Sequence, residues 1–361
     1  MNLRTPFATV SAVLASLTVL FTVLITAGCG TQSGESSGGT LTVYSASGLA
    51  DWYEPQFEKF TRETGIKVTL FEAGSGELVS RVNSRPVWER LDGDTPVPPA
   101  DLLVALPPFI QKAAKAGILQ PSGADTSGIS SKVIDPGGLF VPIVDTALCF
   151  IASPAAEPQP VTWDDLLRPD LVDKLQYSTP GEAGDGTAML LLLQHLMGKD
   201  GALDYLAKLE ANNVGPSSST GALQPKVAAG EILVANGDVQ MNLASITNDG
   251  SNFGIFFPAM PDGTRTTVAL PYLAAVPAEA PNPDAARKLL AFLLSEQAQR
   301  DVVSQAAGIP VLEAAAGATA DPGEPTPSEV LRGVRLWTPD WNAVLSDLDS
   351  DLEAYKQATS G

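Results

Sequence analysis

The residues best suited to binding chemistry in this sequence are small and hydroxyl side chains that recur in short turns. Each turn stands where a strand or loop leads into a segment with helical spacing. The members of these turns are Ser45 and Ser47, Ser75 and Gly76, Gly186 and Thr187, and Ser219 and Thr220. The first N–H groups of a helix lack intrahelical partners, and the helix dipole favours negative charge there. The turns therefore predict an anion site, although each hydroxyl could instead cap its own helix.

The turns need strands and helices that bring them together. Residues 41–44 have the β-branched and aromatic composition of a strand, and apolar residues recur with helical spacing over 49–60. Strands alternate with helices along most of the chain, which favours parallel βαβ units. The carboxyl ends of such strands face a common cleft, where the turns can meet. Two later segments, 282–303 and 340–356, are each predicted to form one amphipathic helix.

Composition excludes some classes of protein. The chain has 361 residues, a formal net charge of −19 and a single histidine. Nucleic-acid binding is disfavoured because phosphates need a basic surface. A bound anion must be held by local donors, since the overall field repels it. His195, within the apolar segment 188–197, is predicted to be a packed core side chain, and Cys149 a small buried hydrophobe.

No pattern of catalytic residues is present in the sequence. It contains no Gly-x-Ser-x-Gly elbow, no P-loop and no cysteine or histidine cluster with zinc spacing. We therefore predict no enzyme activity, no metal site and no cofactor. The alternative from a different functional class is a lipid-anchored hydrolase that acts on phosphorylated substrates.

The N-terminal residues have the pattern of an export signal. Arg4 precedes an apolar run over 10–27, and small residues stand just before Cys29. This cysteine resembles the lipidation site of bacterial lipoproteins, which predicts a signal peptide over 1–28 and a lipid anchor on Cys29. An uncleaved membrane anchor is the alternative, because the run is nearly long enough to span a bilayer. Residues 29–40 are predicted to form a Gly/Ser-rich tether.

Five segments of the sequence form a recognisable series: LTVYSASGLADWYEPQFEKFTRETGIKV, ADLLVALPPFIQKAAKAGIL, VTWDDLL, AAGEILVANGD and PNPDAARKLLAFLLSEQAQ. These segments resemble the substrate-binding lipoproteins of ABC importers, in the group that includes ferric-iron-binding and 2-aminoethylphosphonate-binding proteins. They extend from residue 41 to about 309 in the order of the family. The resemblance implies a solute-binding protein that delivers its ligand to a membrane permease.

The resemblance also bears on the ligand. Ferric-iron members carry adjacent tyrosines shortly after the GEI segment, and hard Fe(III) prefers such oxygen ligands. That place here reads Asp238-Val239-Gln240-Met241-Asn242, and no two tyrosines in the chain are adjacent. The segments GLADWY, LPPFIQ and NGDVQMNLA instead resemble the 2-aminoethylphosphonate-binding branch. Another small anion, a polyamine or ferric iron is the alternative ligand.

A ligand with a phosphonate and an ammonium needs two kinds of partner. The hydroxyl turns suit the phosphonate, and an ammonium needs carboxylate or aromatic partners. The candidates for the ammonium near strand ends are Tyr44, Asp145 and Asp238. Each also has an ordinary structural explanation: core packing for Tyr44, a solvated loop acid for Asp145, and a turn residue for Asp238.

The fold that the resemblance implies is the type II periplasmic-binding-protein fold, with two α/β lobes around a cleft. We expect residues 41–144 and 258–307 to form lobe 1, and 145–257 and 308–361 to form lobe 2. The ligand would be captured by hinge closure. We expect a monomer, anchored by lipid on the extracytoplasmic face of the cell membrane, with ABC permease subunits as partners and no nucleic acid.

Overall fold

The structure is a computed structural model that describes residues 39–84, 91–92, 95–96, 98–320 and 322–360. The expected signal peptide over 1–28, the lipidation site Cys29 and the tether through residue 38 lie outside the described residues. The described residues belong to one compact unit.

Strands and helices alternate through most of this unit. The strands are β1 (Thr40–Ala46), β2 (Lys67–Ala73), β3 (Leu91–Asp92), β4 (Thr95–Pro96), β5 (Leu102–Ala105), β6 (Leu119–Gln120), β7 (Phe140–Asp145), β8 (Leu148–Ala152), β9 (Leu175–Gln176), β10 (Val234–Asp238), β11 (Gly254–Phe256), β12 (Thr266–Val268), β13 (Tyr272–Pro277), β14 (Ile309–Pro310) and β15 (Arg335–Trp337). The helices are α1 (Ala50–Thr64), α2 (Ser75–Asn83), α3 (Phe109–Lys115), α4 (Gly184–Glu210), α5 (Gln224–Ala228), α6 (Val239–Asn248), α7 (Pro283–Leu293), α8 (Glu296–Gln305), α9 (Pro327–Val330), α10 (Trp341–Val344) and α11 (Leu348–Thr359).

The larger sheet has seven strands and organises the first lobe. Its order is β14-β7-β13-β5-β1-β2, with β6 beside β13. Strand β1 is parallel to β2 and β5, whereas β13 is antiparallel to β5 and β7. Strand β5 is buried along its whole length, as expected for a central strand covered on both faces by helices. We call the part of the chain around this sheet lobe 1.

The smaller sheet has four strands in the order β11-β8-β10-β9. Strand β8 is antiparallel to β10 and β11, and β10 is parallel to β9. The chain passes from the first sheet to the second at Thr146 and Ala147 and returns between β11 and β13. We call the part around the smaller sheet lobe 2; its long helix α4 packs against the C-terminal helix α11.

Strand β14 lies on the first sheet, where Ile309 pairs with Asp145. The sequence-based division assigned both residues to lobe 2. The cause of the difference is local: a two-residue strand carries too short a pattern to be assigned from sequence.

Helix α1 shows how local sequence builds lobe 1. Trp52, Tyr53, Phe57 and Phe60 are buried along one face, and the helix ends before Gly65, whose φ of 74° is the left-handed conformation that favours glycine. The indole N–H of Trp52 donates to the Ala298 carbonyl at 3.0 Å. This hydrogen bond joins α1 to α8, which lies far along the chain.

The predicted single helix over 282–303 is wrong, because the structure has two helices there. Helix α7 ends at Leu293, and the Ser295 hydroxyl accepts a hydrogen bond from the Ala298 N–H at 3.3 Å to begin α8. The predicted helix over 340–356 is likewise divided into α10 and α11. At Ser295 a helix-capping side chain competes with continuation of the helix, and apolar spacing alone does not detect it.

The prediction for His195 is also wrong. The apolar run before it is buried from Ala188 to Leu193, but His195 is exposed and stacks on the Trp337 ring with centroids 4.1 Å apart. Cys149 is buried and free, as predicted. Among the described residues, no helix has the length and apolar character needed to cross a membrane.

Replacement of the capping serine tests the origin of the break between α7 and α8. Ser295→Ala should lower the free energy of unfolding by about 1 kcal/mol, since a lost N-cap has a cost of that size. Ser304→Ala, an exposed position in the same helix, is the matched control and should be neutral. Urea denaturation measures both; equal stability of the two variants would contradict a capping role for Ser295.

Candidate functional site

Three of the four hydroxyl turns meet at one cavity between the lobes. Lobe 1 contributes Ser47, Gly74 and Ser75, and lobe 2 contributes Asp185, Ser219 and Thr220. The cavity is narrow: its volume is about 10 Å³, about the space of one water molecule, so a larger ligand needs the lobes to move apart. Among its described lining residues there is no Lys, Arg or His. The cavity therefore presents hydroxyl groups and helix N-termini to a ligand, and one acidic side chain.

The lobes touch each other around this cavity. The hydroxyl oxygens of Ser47 and Ser219 are 3.4 Å apart, and the Gly76 N–H donates to the Glu182 carbonyl at 2.8 Å. A Cβ on Gly74 would lie 2.1 Å from the Ser218 carbonyl oxygen. The Gln240 side-chain amide in lobe 2 also donates to the Gly48 carbonyl at 2.8 Å. The structure is thus a closed form in which only glycine fits at position 74.

Ser75 is placed to use its hydroxyl proton in binding. It begins α2, is almost fully buried, and its oxygen accepts a hydrogen bond from the Leu106 N–H at 3.0 Å. Because a hydroxyl both accepts and donates, the O–H of Ser75 stays available as a donor. The strand β1 ends just before Ser47, so that side chain also reaches the cavity.

The helix-capping alternative does not hold for these turns. The residues at the N-cap positions of α1, α2 and α4 are Leu49, Gly74 and Ala183, and none makes a side-chain capping bond in the described structure. Ser219 precedes a short 3₁₀ turn over Thr220–Ala222 and does not cap it either. The cavity hydroxyls therefore do not cap the helices that follow them.

Other predicted phosphonate ligands lie outside the lining of this cavity. The Ser45 hydroxyl donates to the Ala46 carbonyl at 2.9 Å and lies 3.2 Å from the Tyr53 hydroxyl. The Thr187 hydroxyl donates to the Ala183 carbonyl and accepts from the Gly181 N–H, both at 2.9 Å. The N–H of Gly76 is used by Glu182, as described above. The hydroxyl groups of Ser45 and Thr187 and the N–H of Gly76 are therefore engaged in hydrogen bonds with the protein backbone.

The three candidates for the ammonium are placed differently. The Tyr44 hydroxyl donates to the Pro98 carbonyl at 2.7 Å, and Asp145 accepts from the Ser131 hydroxyl at 2.9 Å; both lie outside the lining. Asp238 is fully buried and caps α6. Its carboxylate accepts from Met241 N–H at 2.9 Å, from Thr146 hydroxyl at 3.0 Å and from Tyr272 hydroxyl at 3.0 Å.

Asp185 is the site residue that the sequence reasoning missed. It stands in the first turn of α4 and is only 4% exposed. Its Oδ1 atom has no hydrogen-bond partner among the described residues. Burial, and then the charge of Asp238, raise the pKa of Asp185 to about 8, while the Thr220 hydroxyl acts in the opposite direction. The available signal was an acid in the first turn of a helix whose residues 188–193 are all apolar.

The carboxyl groups of this region make stability depend on pH. Burial raises the pKa of Asp145 to about 6, with the Ser131 hydroxyl acting in the opposite direction. An acid whose pKa is higher in the folded state keeps its proton there while the unfolded chain releases it. The free energy of unfolding therefore falls as pH rises, up to about pH 6 for Asp145 and about pH 8 for Asp185.

Replacement of Asp185 should remove the upper part of this pH dependence. In the unliganded protein, Asp185→Asn should reduce the loss of stability between about pH 6.5 and 8, which is at most about 1.4 kcal/mol per pH unit for one group. Asp145→Asn should keep that slope and change only the region below about pH 6. Urea denaturation across pH 5–9 measures it; an unchanged slope in Asp185→Asn would contradict a buried, protonated Asp185.

The chain is similar to several known proteins. The family model for bacterial extracellular solute-binding proteins matches residues 41–305. A protein of Salmonella typhimurium with the name "Putative 2-aminoethylphosphonate-binding periplasmic protein" is 42% identical over 325 residues, which cover 88% of this chain and 92% of that protein.

Solved structures share the fold. A periplasmic binding protein from Actinobacillus pleuropneumoniae with fructose-6-phosphate bound has a TM-score of 0.69 and 19% identity, over 90% of this chain and 97% of that one. A periplasmic thiamin binding protein has a TM-score of 0.71 and 19% identity, over 91% and 98%. The predicted two-lobed type II periplasmic-binding-protein fold is confirmed, and the chain belongs to the bacterial extracellular solute-binding proteins.

Proposed function

We propose that this protein captures 2-aminoethylphosphonate, or a related organophosphonate, between its lobes and delivers it to the permease of an ABC importer. The observation that carries the proposal is the interlobe cavity, which combines uncharged donors from both lobes with one buried acid. A ligand with an anionic and a cationic end matches that combination. The name of the Salmonella relative supports the same ligand.

The phosphonate is held by uncharged donors. Ser47 and Ser75 approach it from lobe 1, and Ser219 and Thr220 from lobe 2. The N-termini of α2 and α4 open at the same cavity and favour negative charge. In a site closed off from water these hydrogen bonds are stronger than at the surface. No basic residue is needed, in agreement with a chain whose net charge is −19.

Binding is coupled to lobe movement. The contacts of Gly74 and Ser47 with lobe 2 close the cavity, so a ligand enters when the lobes separate. The chain crosses between the sheets at Thr146 and Ala147 and again between β11 and β13, and these segments serve as the hinge. The closed form then presents a defined surface to the permease subunits.

We also propose that the protein acts as a monomer on the extracytoplasmic face, held to the membrane by a lipid on Cys29. The residue pattern before Cys29 and the Gly/Ser-rich segment after it support this anchor. Members of the family bind solutes, and the catalytic patterns sought in the sequence are absent, which supports transport over hydrolysis.

A panel of ligands tests the proposed function. Calorimetry on the full mature chain with 2-aminoethylphosphonate, phosphate, spermidine and ferric citrate should give saturable heat with the aminophosphonate and much weaker heat with the others. Binding of another compound in preference to the aminophosphonate would reject the ligand assignment. Release of phosphate from p-nitrophenyl phosphate would instead support the hydrolase alternative.

Gly74→Ala tests whether lobe closure is required for binding. The added Cβ would meet the Ser218 carbonyl in the closed form, and overpacking of this kind costs about 1–3 kcal/mol. We expect about 10- to 100-fold weaker binding of 2-aminoethylphosphonate, with the free protein still folded. Gly254→Ala is the matched control, because nothing lies within 4 Å of a Cβ there. Wild-type affinity in Gly74→Ala would contradict the role of closure.

A further inference from the structure

Asp185 is a buried acid without a cationic partner among the residues that the structure describes. It lines the interlobe cavity, its Oδ1 atom has no hydrogen-bond partner among the described residues, and it forms no ion pair with a Lys or Arg there. A buried polar atom without a partner is costly in a folded protein, and such atoms call for an explanation. A ligand that supplies N–H donors and positive charge explains the unpartnered Oδ1 atom of Asp185.

The carboxyl group of Asp238 also favours a cationic ligand beside Asp185. Asp238 lies close enough for the charges of the two carboxyl groups to oppose each other. Asp238 already accepts hydrogen bonds from Thr146, Met241 and Tyr272. Asp185 is therefore the acid with a free oxygen at the cavity, and Asp238 increases the negative potential behind it.

We infer that Asp185 binds the ammonium group of the ligand and is the residue that makes the site select amino-bearing phosphonates over phosphate and simple alkylphosphonates. This inference rests on the proposed function and adds a specificity residue to it. An ammonium is a triple donor without an acceptor, which matches a carboxylate oxygen that lacks a partner. A purely anionic ligand would instead face the buried carboxyl group of Asp185 without compensation.

The ligand has its two ends held by different elements in this arrangement. Ser75 and Ser47 belong to lobe 1, whereas Asp185 is on α4 of lobe 2, beside Thr220. An aminoalkylphosphonate can therefore link the lobes through charge as well as hydrogen bonds. Phosphate can use only the hydroxyl half of the cavity.

A second role for Asp185 must be distinguished from this one. A protonated Asp185 could donate its O–H to the anion, in which case the amine would not be recognised by this residue. Asparagine can replace that donor through its amide N–H but cannot supply negative charge. The substitution Asp185→Asn therefore separates the two roles.

The experiment compares two ligands of nearly equal size on the full mature chain by calorimetry at pH 8. The ligands are 2-aminoethylphosphonate and propylphosphonate, in which a methyl group replaces the ammonium. The wild-type protein should prefer the amine by about 10- to 100-fold, the range of a charge-assisted hydrogen bond. Asp185→Asn should lose most of that preference, by weaker binding of the amine and with propylphosphonate affinity within about 3-fold of wild type.

Two further variants test whether the effect is specific to Asp185. Asp284→Asn removes an acid from the first turn of α7, where its side chain is 92% exposed, and should leave both affinities unchanged. Loss of the preference in Asp238→Asn but not in Asp185→Asn would overturn the assignment to Asp185. An unchanged preference in Asp185→Asn, or equal weakening of both ligands, would also overturn it.

The two proposals fail in different ways. If the wild-type protein binds neither phosphonate, the proposed function is wrong and the role of Asp185 falls with it. If the wild-type protein binds 2-aminoethylphosphonate and Asp185→Asn binds it with the same selectivity, only the role of Asp185 is wrong. Circular dichroism of each variant verifies that the fold is retained, and Asp185→Asn should be at least as stable as wild type at pH 8.

Discussion

Closure of the two lobes buries the carboxyl group of Asp185 in a cavity whose described lining has no basic side chain. A carboxylate removed from water must find hydrogen bonds and opposite charge, or it takes up a proton. Among the described residues Asp185 has neither a cation nor a partner for Oδ1, and burial together with the charge of Asp238 raises its pKa to about 8. In the closed form the Asp185 carboxyl group thus lacks a cationic partner among the described residues, and a positively charged ligand can supply one.

We propose that the remainder of the cavity receives the anionic end of the ligand, since its described lining has hydroxyl groups and no basic side chain. Two helices begin at it, and hydroxyl groups such as that of Ser75 reach it from both lobes. Uncharged donors can hold an anion when the site is closed to water, because the low local dielectric strengthens each bond. Closure in turn needs the absence of a side chain at Gly74. The two proposed binding groups, Asp185 for the ammonium and the cavity hydroxyls for the phosphonate, therefore depend on the same contact between the lobes at Gly74.

The sequence predicts much of this architecture because the relevant signals are local. The alternation of strands and helices indicated the α/β fold, and the rule that turns meet at the carboxyl ends of strands correctly placed Ser47, Ser75, Ser219 and Thr220 at one cavity. Ser45 lies outside that lining because it is still within β1 and packs near Tyr53. One position along the chain decides whether a side chain points toward a cleft or into the core.

Other features could not be predicted because they depend on contacts between distant segments. The burial of Asp185 arises when lobe 1 meets the start of α4, and no pattern around residue 185 records that approach. His195 has apolar neighbours in sequence but faces Trp337, which lies far along the chain. The break at Ser295 has a local cause, yet the apolar spacing continues across it and conceals it.

A crystal structure of the mature protein with 2-aminoethylphosphonate is the most direct test of the central claim. The ammonium nitrogen should lie within about 3 Å of an Asp185 carboxylate oxygen, and the phosphonate oxygens should accept hydrogen bonds from the hydroxyl groups of the interlobe cavity. A ligand bound in the reverse direction, with its phosphonate beside Asp185, or one bound outside this cavity, would contradict the account.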